Sequence, residues 1–213
     1  MNLADLREDY TQGGINRASM KPNPFEQFKE WLKVAHDQKI PEANAMTVAT
    51  ANKAGIVTSR TLLLKGLVEG KLQFFTNYRS QKARDLEENP NASITIHWKE
   101  LERQICVRGT VQKTSRQASK DYFNLRPYSS RIGAWVSAQQ SDVIDQRATL
   151  AEREAVLMEK FPEGSEVPCP DFWGGYELTP TYLEFWQGRQ GRLHDRLRYL
   201  ADGDTWALDR LSP

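Results

Sequence analysis

A basic segment near the C-terminus holds the residue types best suited to binding chemistry. Residues 188–198 read Gly-Arg-Gln-Gly-Arg-Leu-His-Asp-Arg-Leu-Arg, so four arginines and a histidine accompany one aspartate. Each guanidinium offers a rigid fork of donors and a flat face that stacks on rings. Beside a glycine turn, such a cluster favours phosphates and flat anionic rings. A solvated charged hairpin is the alternative, and further clusters elsewhere in the chain argue against it.

Two cations, Arg60 and Lys65, bracket the apolar run Thr-Leu-Leu-Leu in a predicted strand. Side chains alternate along a strand, so a separation of five residues places the two on opposite faces, where they can serve different ligands. A β-bulge would realign them. Two exposed strand ends with an apolar middle are an equal alternative.

A second cluster runs from Phe75 and Thr76, at a strand end, to Lys82 near the start of a helix. Backbone N–H groups, hydroxyls and an ammonium converge at such a junction, which favours an anion. An ordinary capped helix is the alternative.

In a third cluster, Tyr122 and Arg126 are spaced to share one helical face, and Ser130 follows the Arg-Pro break. A phenol, a guanidinium and a hydroxyl can together clamp a phosphate. Taken alone, such a Tyr/Arg pair is more often surface packing.

The bulk composition argues against several classes of protein. A net charge of +1 gives no reason to expect nucleic acid or a membrane as a partner. No apolar run suffices for a transmembrane helix, and the charged N-terminus lacks a secretory signal core. Two distant cysteines, Cys106 and Cys169, are typical of reduced residues in a cytoplasmic protein. The three histidines lack metal-ligand spacing, so no metal is expected.

Glycine-rich phosphate motifs are missing from the sequence. It has no G-x-G-x-x-G after a strand, no G-x-x-x-x-G-K-[ST] and no G-x-S-x-G nucleophile elbow. Any phosphorylated ligand must therefore be held by side chains on another scaffold.

That scaffold is predicted to be mainly β with helices (α+β), a barrel or sandwich decorated by helices. Predicted strands cover Ala45–Ala51 and residues 56–64, 71–76, 92–98, 104–112, 176–178 with flanks, 182–187, 193–200 and 205–209. Predicted helices begin at Asn23-Pro24 and at Ser80, the latter ending near residue 89, and cover residues 115–125, 130–136 and 142–161. The last of these is expected to be the longest and to be capped by Asp142.

Residues 1–20 are expected to form a flexible arm or a short helix, and residues 21–213 a single domain. Arg192 and His194 are expected on the same strand, where alternation aims both side chains at one face and sends Leu193 into the core.

The motifs, taken in chain order, resemble those of the pyridoxamine 5'-phosphate oxidase family. They are Arg60-x-x-x-x-Lys65, Phe74-Phe-Thr-Asn77 followed by Ser80-x-Lys82, Glu102-Arg-Gln104, Arg126-Pro127, Ile132-Gly-Ala-Trp-Val-Ser137, Phe172-Trp-Gly-Gly175, Glu184-Phe-Trp-Gln-Gly188 and Arg192-Leu-His-Asp-Arg196. The similarity spans the chain from Arg7 to its C-terminus. It implies an FMN-binding split β-barrel and a homodimer with FMN at the subunit interface.

The resemblance also implies roles for individual residues. The cofactor contacts it implies are Arg60, Leu63, Leu64, Lys65, Phe75, Thr76, Gln81, Lys82, Gln104, Gln139, Gln140, Trp186 and Arg196. The substrate contacts it implies are Lys65, Tyr122, Arg126 and Ser130 on the phosphate, Arg192 and His194 on the ring as the catalytic pair, and Arg7 and Tyr10 from an N-terminal lid. The implied reaction is oxidation of pyridoxamine 5'-phosphate or pyridoxine 5'-phosphate by O2, giving pyridoxal 5'-phosphate and hydrogen peroxide.

Two positions depart from the family pattern. Gln81 stands where the family usually has arginine before the lysine, and Gln140 stands where it often has serine. Both changes concern the cofactor rather than the substrate clamp.

Two other functions are compatible with the same residues. A split-barrel flavin reductase would use FMN with another substrate, and a noncatalytic carrier would bind pyridoxal 5'-phosphate or FMN without turnover. Peroxide production separates the carrier from the oxidase.

Overall fold

The structure, a computed structural model, describes residues 2–3, 6 and 9–213, so the predicted substrate contact Arg7 lies outside it. The described residues form nine strands and five α-helices. The strands are β1 (Ala45–Ala51), β2 (Val57–Leu63), β3 (Gly66–Val68), β4 (Lys71–Asn77), β5 (Asn91–Trp98), β6 (Arg103–Lys113), β7 (Trp173–Gln187), β8 (Asp195–Asp202) and β9 (Thr205–Leu211). The helices are α1 (Pro24–Asp37), α2 (Gln81–Glu88), α3 (Arg116–Leu125), α4 (Tyr128–Val136) and α5 (Ala148–Lys160).

All nine strands join one antiparallel sheet in the order β2-β1-β5-β6-β7-β4-β3, with β8 and β9 branching from β7. Strand β6 pairs along most of one edge of β7. The other edge of β7 is shared, because β4 pairs with its first half and β8 with its second half. Two sub-sheets thus diverge from one long strand, and the curled sheet is a split β-barrel of the α+β class.

A bulge lets β7 run as one strand where two were predicted. The register with β6 shifts between Arg108 and Gly109, which pair with Tyr182 and Pro180 and leave Thr181 as the extra residue. Proline has no N–H to give to a ladder, and bulges are where sheets tolerate it. A Cβ on Gly109 would collide with the backbone of Thr179, so glycine is required opposite the bulge.

Two hydrophobic clusters hold the sheet between its helices. The main cluster packs α1 and α2 against one face, with Phe28 of α1 and Phe185 of β7 fully buried. Trp31 meets Phe185 edge-on, with 5.1 Å between ring centroids. The second cluster lies under α3 and α4 around Phe123 and Trp173. Packing on both faces fixes the ends of β2 and β4, which carry several of the predicted site residues.

Most predicted elements are confirmed, with ends shifted by one or two residues. Helix α1 begins after Asn23, whose side chain caps the N–H of Phe25 as expected. The described part of the predicted arm includes Ile15 and Met20, which are buried in the main cluster. The short strand β3 was missed.

The helix predicted for residues 142–161 is shorter than expected. It begins at Ala148, so Asp142 does not cap it, and with 13 residues it is shorter than α1 with 14. Asp142 instead lies 3.7 Å from Arg84, and Val143 is 97% exposed. A helical turn there would have no core to pack against, and such packing supplies most helix stability.

Candidate functional site

A cavity of about 380 Å³ lies between the end of β2, β4 and the α3–α4 junction. Its walls include four residues of the predicted substrate clamp, namely Lys65, Tyr122, Arg126 and Ser130. Helix α3 ends at Leu125, so Arg126 lies in extended backbone and not on a helical face with Tyr122. Pro127 is the N-cap of α4, which begins at Tyr128, so Ser130 lies in the first turn of that helix. Although α3 ends before Arg126, all four residues still line one cavity.

Three aromatic rings form one wall of this cavity. Phe75 stacks on Tyr122 at 4.0 Å and on Trp173 at 5.7 Å between centroids, and the planes of Tyr122 and Trp173 differ by 7°. The guanidinium carbon of Arg126 lies 4.6 Å above the Trp173 ring. A cation held over an indole is attracted by the ring and kept in place. The wall therefore fixes Arg126 toward the cavity.

The Arg126 guanidinium lacks an anionic partner within the described chain. Its Nη1 atom is buried and has no hydrogen-bond partner there. Burial lowers the pKa of Arg126, opposed by nearby Tyr122, but arginine stays charged. A buried donor without a partner is costly, especially on a charged group. An anion such as a phosphate would satisfy it, with Lys65 at the same cavity.

A second cation group lies between β2, β4 and α2. Lys82 is 8% exposed, and its Nζ donates to Thr76 Oγ1 at 3.1 Å. Burial first, and Arg60 second, lower the pKa of Lys82 to about 8. Arg60 itself donates to the Val48 carbonyl and to the hydroxyls of Thr50 and Thr58. Two cations that repel each other and contact only neutral groups directly form a suitable site for a dianionic phosphate.

The residue that starts α2 fits the same ligand. Ser80 occupies the N-cap position as predicted, but its side chain makes no capping bond. Its hydroxyl is buried and, within the described residues, has no partner. A helix N-terminus with a free hydroxyl beside Lys82 is an anion site. These buried groups fit the phosphate of FMN.

The predicted cofactor glutamines lie in different surroundings. Gln81 donates to Asp85 at 2.7 Å and accepts from Arg84 at 3.1 Å, so its side chain is already engaged. Gln140 has a buried Oε1 that finds no partner among the described residues. Gln104 donates to the Cys106 sulfur at 3.1 Å.

The remaining predicted cofactor contacts are placed as follows. Leu63 lines the cavity described above, whereas Leu64 is buried in the main core. Gln139 follows α4 and faces a groove beside α5. Trp186 lies near the far end of β7.

The third group surrounds the turn from β7 to β8. Tyr10 packs edge-on against Trp186 at 5.5 Å and against His194 at 5.3 Å between centroids. His194 Nδ1 accepts from the backbone N–H of Arg189 at 3.2 Å. Burial, then the charge of Arg192, lower the pKa of His194, so the ring is neutral near pH 7. Since Nδ1 accepts, the single proton lies on Nε2, which can donate to a ligand.

The strand predicted at 193–200 begins later, so the alternation expected for Arg192 and His194 is wrong. Strand β8 starts at Asp195, and Arg192 lies in a single 3-10 turn with a φ of 63°. Leu193 is 73% exposed and not in the core. Left-handed backbone at a non-glycine residue is strained and is common at functional sites. The turn, rather than a strand, carries Arg192 out to solvent.

Acidic residues near this turn are paired with arginines other than Arg192. Asp195 contacts Arg210 and lies 3.9 Å from Arg189. In the described residues, no ion pair involves Arg192. Arg196 is engaged by both oxygens of Glu184, at 2.7 and 3.1 Å, and donates to the Ser212 carbonyl. Within one subunit the guanidinium of Arg196 is therefore held by Glu184.

One chain does not bring the cavity and the turn together. Phe75 pairs with Gly175, while Gln187 pairs with Asp195 just after the turn. Those two partners, Gly175 and Gln187, stand twelve residues apart on one strand, which corresponds to roughly 40 Å along extended backbone at about 3.3 Å per residue. The clamp residues and Arg192 thus lie toward opposite ends of β7.

Trp173, which holds Arg126, was not among the predicted site residues. The one feature of the sequence that could have pointed to Trp173 is its place in the Phe-Trp-Gly-Gly motif. Thr50, Thr58 and Asp85, which contact Arg60 directly or through one another, carried no signal at all.

Comparisons with known proteins agree with this geometry. Residues 32–157 match the family model described as Pyridoxamine 5'-phosphate oxidase, and residues 173–213 match the one described as Pyridoxine 5'-phosphate oxidase C-terminal dimerisation region. The chain is 48% identical to the pyridoxine/pyridoxamine 5'-phosphate oxidase of Burkholderia mallei (strain ATCC 23344), over 99% of both chains. It is 49% identical to the protein of that name from Paraburkholderia phymatum, again over 99% of each.

Two solved structures are also similar. PhzG from Burkholderia lata 383, in complex with tetrahydrophenazine-1-carboxylic acid, is 29% identical and superposes with a TM-score of 0.86, covering 92% of this chain and 95% of that one. A pyridoxamine 5'-phosphate oxidase-related, FMN binding protein from Nostoc punctiforme PCC 73102 is 18% identical with a TM-score of 0.71, covering 91% and 100%, and shares the fold.

The fold and the buried cation groups define an FMN-binding flavoprotein of the split-barrel class. Within that class, the chain belongs to the pyridoxamine 5'-phosphate oxidase family and carries its C-terminal dimerisation region. No helix in the described part of the chain is long and apolar enough to cross a membrane.

Proposed function

We propose that this protein oxidises pyridoxamine 5'-phosphate or pyridoxine 5'-phosphate to pyridoxal 5'-phosphate, using FMN and O2 and releasing hydrogen peroxide. With the amine substrate, water also hydrolyses the oxidised C–N bond and ammonia is released. The observation that carries the proposal is the buried Nη1 of Arg126, which has no hydrogen-bond partner among the described residues, at a cavity also lined by Lys65, Tyr122 and Ser130. Four side chains with this donor capacity suit a phosphate ester better than an uncharged ligand.

The clamp determines which substrates are accepted. Lys65 and Arg126 supply the charge, and the hydroxyls of Tyr122 and Ser130 supply further hydrogen bonds. An unphosphorylated vitamer would leave Arg126 buried without a counter-charge, which disfavours binding. The stacked Phe75 and Trp173 rings keep the clamp rigid.

The cofactor is held by Arg60, Thr76, Lys82 and Ser80 at its phosphate, and it supplies the hydride acceptor and the reaction with O2. With that chemistry provided, positioning of the substrate carbon dominates the protein's contribution to the rate. Arg192 has the planar guanidinium needed to cover the pyridine ring, and neutral His194 can donate from Nε2 to a ring substituent.

A complete site needs two subunits, since the clamp and the Arg192 turn lie toward opposite ends of β7. We assign the turn over each cavity to the partner copy, through the C-terminal dimerisation region at residues 173–213. Residues 1–20 would then act as a lid, because Tyr10 already contacts His194.

A phenazine-type substrate is the second candidate, favoured by the similarity to PhzG at 29% identity. The clamp favours the phosphate ester, because two cations and two hydroxyls offer more donors than a single carboxylate can use.

Product assays with matched substrates test the proposal. Holoprotein should form pyridoxal 5'-phosphate and an equal amount of peroxide from pyridoxine 5'-phosphate, with pyridoxine at least a hundredfold poorer in kcat/KM, or about 2.7 kcal/mol. In Arg126→Gln protein this preference should collapse. Turnover of tetrahydrophenazine-1-carboxylic acid alone would favour the second candidate. Reduction of the flavin by a nicotinamide cofactor would indicate a reductase, and tight binding without turnover would indicate a carrier.

A further inference from the structure

A buried carboxylate lies beneath the cations that hold the cofactor phosphate. Asp85 of α2 is 1% exposed. Its Oδ2 accepts from Thr50 Oγ1 at 2.7 Å and from Thr58 Oγ1 at 2.8 Å, and its Oδ1 accepts from Gln81 Nε2 at 2.7 Å. Burial alone would raise the pKa of Asp85, but the hydrogen bonds from Thr50, Gln81 and Thr58, together with the charge of Arg60, bring it below its usual value. The group is therefore ionised.

The same two hydroxyls also contact Arg60. Its Nη1 donates to Thr50 Oγ1 at 2.8 Å and its Nη2 donates to Thr58 Oγ1. An arginine can only donate and an ionised carboxylate can only accept, so the direction of each hydrogen bond is fixed. Each threonine gives its proton to Asp85 and turns a lone pair to Arg60. The guanidinium is thereby locked by two hydroxyls that cannot rotate away.

Gln81 completes this network instead of reaching the cofactor. Its Nε2 is committed to Asp85, and its Oε1 accepts from Arg84 Nη2 at 3.1 Å. Both ends of the amide are used on the solvent side of α2. The direct cations at the phosphate are then Arg60 and Lys82.

We propose that Asp85 is the positioning residue of the cofactor-phosphate site, fixing Arg60 through Thr50 and Thr58, and that Gln81 serves Asp85 rather than the phosphate. The proposal rests on the assignment of Arg60 and Lys82 to the FMN phosphate. It requires no contact between Asp85 and the cofactor. A purely structural role, in which Asp85 ties α2 to β1 and β2, would affect all ligands of the fold equally.

Riboflavin separates the two roles because it has the flavin ring without the phosphate. Apoprotein is titrated with FMN and with riboflavin, following quenching of flavin fluorescence. Thr58→Val removes one hydroxyl while keeping the shape and the charge of the site. It should weaken FMN binding about tenfold and leave riboflavin binding unchanged, because only the phosphate depends on Arg60. Thr58→Ser, which keeps the hydroxyl, should restore wild-type FMN affinity.

Two matched controls accompany this variant. Thr61→Val makes the same change on β2, but alternation places Thr61 on the opposite face of the sheet from Thr58, and its FMN affinity should equal wild type. Glu87→Gln neutralises an exposed acid on α2, outside the network, and should also bind FMN normally.

Asp85→Asn tests the carboxylate itself. Both threonine hydroxyls donate to Oδ2, and a neutral amide oxygen in that position is a weaker acceptor than a carboxylate, so the hydroxyls are held less firmly in the orientation that Arg60 needs. FMN should bind at least threefold more weakly, again without change for riboflavin. By charge alone, removing an acid near a phosphate would tighten FMN binding.

Tighter FMN binding by Asp85→Asn, or equal losses for FMN and riboflavin in Thr58→Val, would overturn the proposal. So would a wild-type protein that does not prefer FMN to riboflavin, since Arg60 and Lys82 would then not hold a phosphate. None of these readouts uses oxidase activity, so failure of the proposed reaction would be seen separately.

Discussion

At the residue scale, two unpartnered donors lie where ligands are proposed. Arg126 Nη1 and Ser80 Oγ are buried atoms that protein groups in the described residues leave unsatisfied, and native proteins tolerate few of these. One lies at the proposed site of the substrate phosphate and the other at the proposed site of the cofactor phosphate. The Tyr/Arg/Ser set suggests a phosphate clamp in the sequence, but surface packing is the commoner role of such a pair, and the family resemblance decided between the two. The free hydroxyl of Ser80 was not predictable, because an N-cap serine is expected to bond its own helix.

Arg192→Lys tests the planar guanidinium in the strained turn. Lysine keeps the charge but loses the face that stacks on a ring. We expect kcat/KM for pyridoxine 5'-phosphate to fall about tenfold or more, equivalent to roughly 1.4 kcal/mol, with FMN content and Tm unchanged. Arg189→Lys is the matched control, since Arg189 is in the same turn beside Asp195. Unchanged kcat/KM in Arg192→Lys would show that the ring does not need the guanidinium.

The pKa of Lys82 makes FMN binding pH-dependent. Without cofactor this pKa is about 8, and a bound phosphate raises it by adding an opposite charge. Binding above about pH 8 therefore takes up a proton, so FMN affinity falls as pH rises, by up to about tenfold per pH unit. The phosphate itself is fully ionised there, since its second pKa is about 6. Asp85 stays ionised and Arg60 charged across this range.

Titration of apoprotein with FMN between about pH 7 and about pH 9.5 measures the effect. Lys82→Arg, which stays protonated, should give a flat profile over the same range. A wild-type profile as flat as that of Lys82→Arg would mean that Lys82 does not contact the phosphate.

At the element scale, most strands and helices could be predicted from the sequence, and each wrong prediction has a local cause. Helix α1 was predictable because an Asn-Pro start and a regular apolar face agree. The sequence predicts two strands where the structure has β7, because Pro180 interrupts the run of strand-forming residues. The bulge at Thr181 is what allows the strand to continue past the proline. The sequence predicts a strand at Arg192 because the order of side chains there resembles strand alternation, and that order does not reveal the left-handed backbone.

The N-terminal segment is attached by Glu102, whose backbone is also left-handed with a φ of 52°. Its carboxylate accepts from the backbone N–H of Thr11 at 2.9 and 3.0 Å and of Gln12 at 3.0 Å. Charge-assisted bonds of this kind are stronger than neutral ones, so they hold Tyr10 against His194. Glu102→Gln should release the segment, raise the KM for substrate several-fold and change kcat little.

Hydrogen exchange at Thr11 and Gln12 measures the release directly, and both amides should exchange faster in Glu102→Gln. Glu100→Gln, an exposed acid in the adjoining 3-10 turn, should leave exchange and KM unaltered. Slow exchange retained in Glu102→Gln would show that the segment is held by other contacts.

At the scale of the whole molecule, the length of β7 separates the two halves of the proposed site. In the sequence, a homodimer follows only from the family resemblance, and the strand pairing supplies a geometric reason for it. The Asp85 network could not be foreseen, because Thr50, Thr58 and Asp85 are ordinary residues brought together by β1, β2 and α2.

Mixed dimers test the shared site. Arg126→Gln and Arg192→Lys subunits are each impaired alone, but a hybrid dimer would contain one site with both native arginines. Random mixing makes half of the dimers hybrids, so about a quarter of wild-type activity should return. Activity no higher than the mean of the two parents would place both arginines in the same subunit's site.

Anaerobic mixing with substrate tests the central claim most directly. Holoprotein and pyridoxine 5'-phosphate are combined without O2, and the visible absorbance of the flavin is followed. The flavin should bleach with formation of one pyridoxal 5'-phosphate per FMN, and admission of O2 should restore the colour with one peroxide per flavin. Flavin that stays oxidised in the presence of saturating pyridoxine 5'-phosphate and pyridoxamine 5'-phosphate would contradict the assignment of this protein as an oxidase of these substrates.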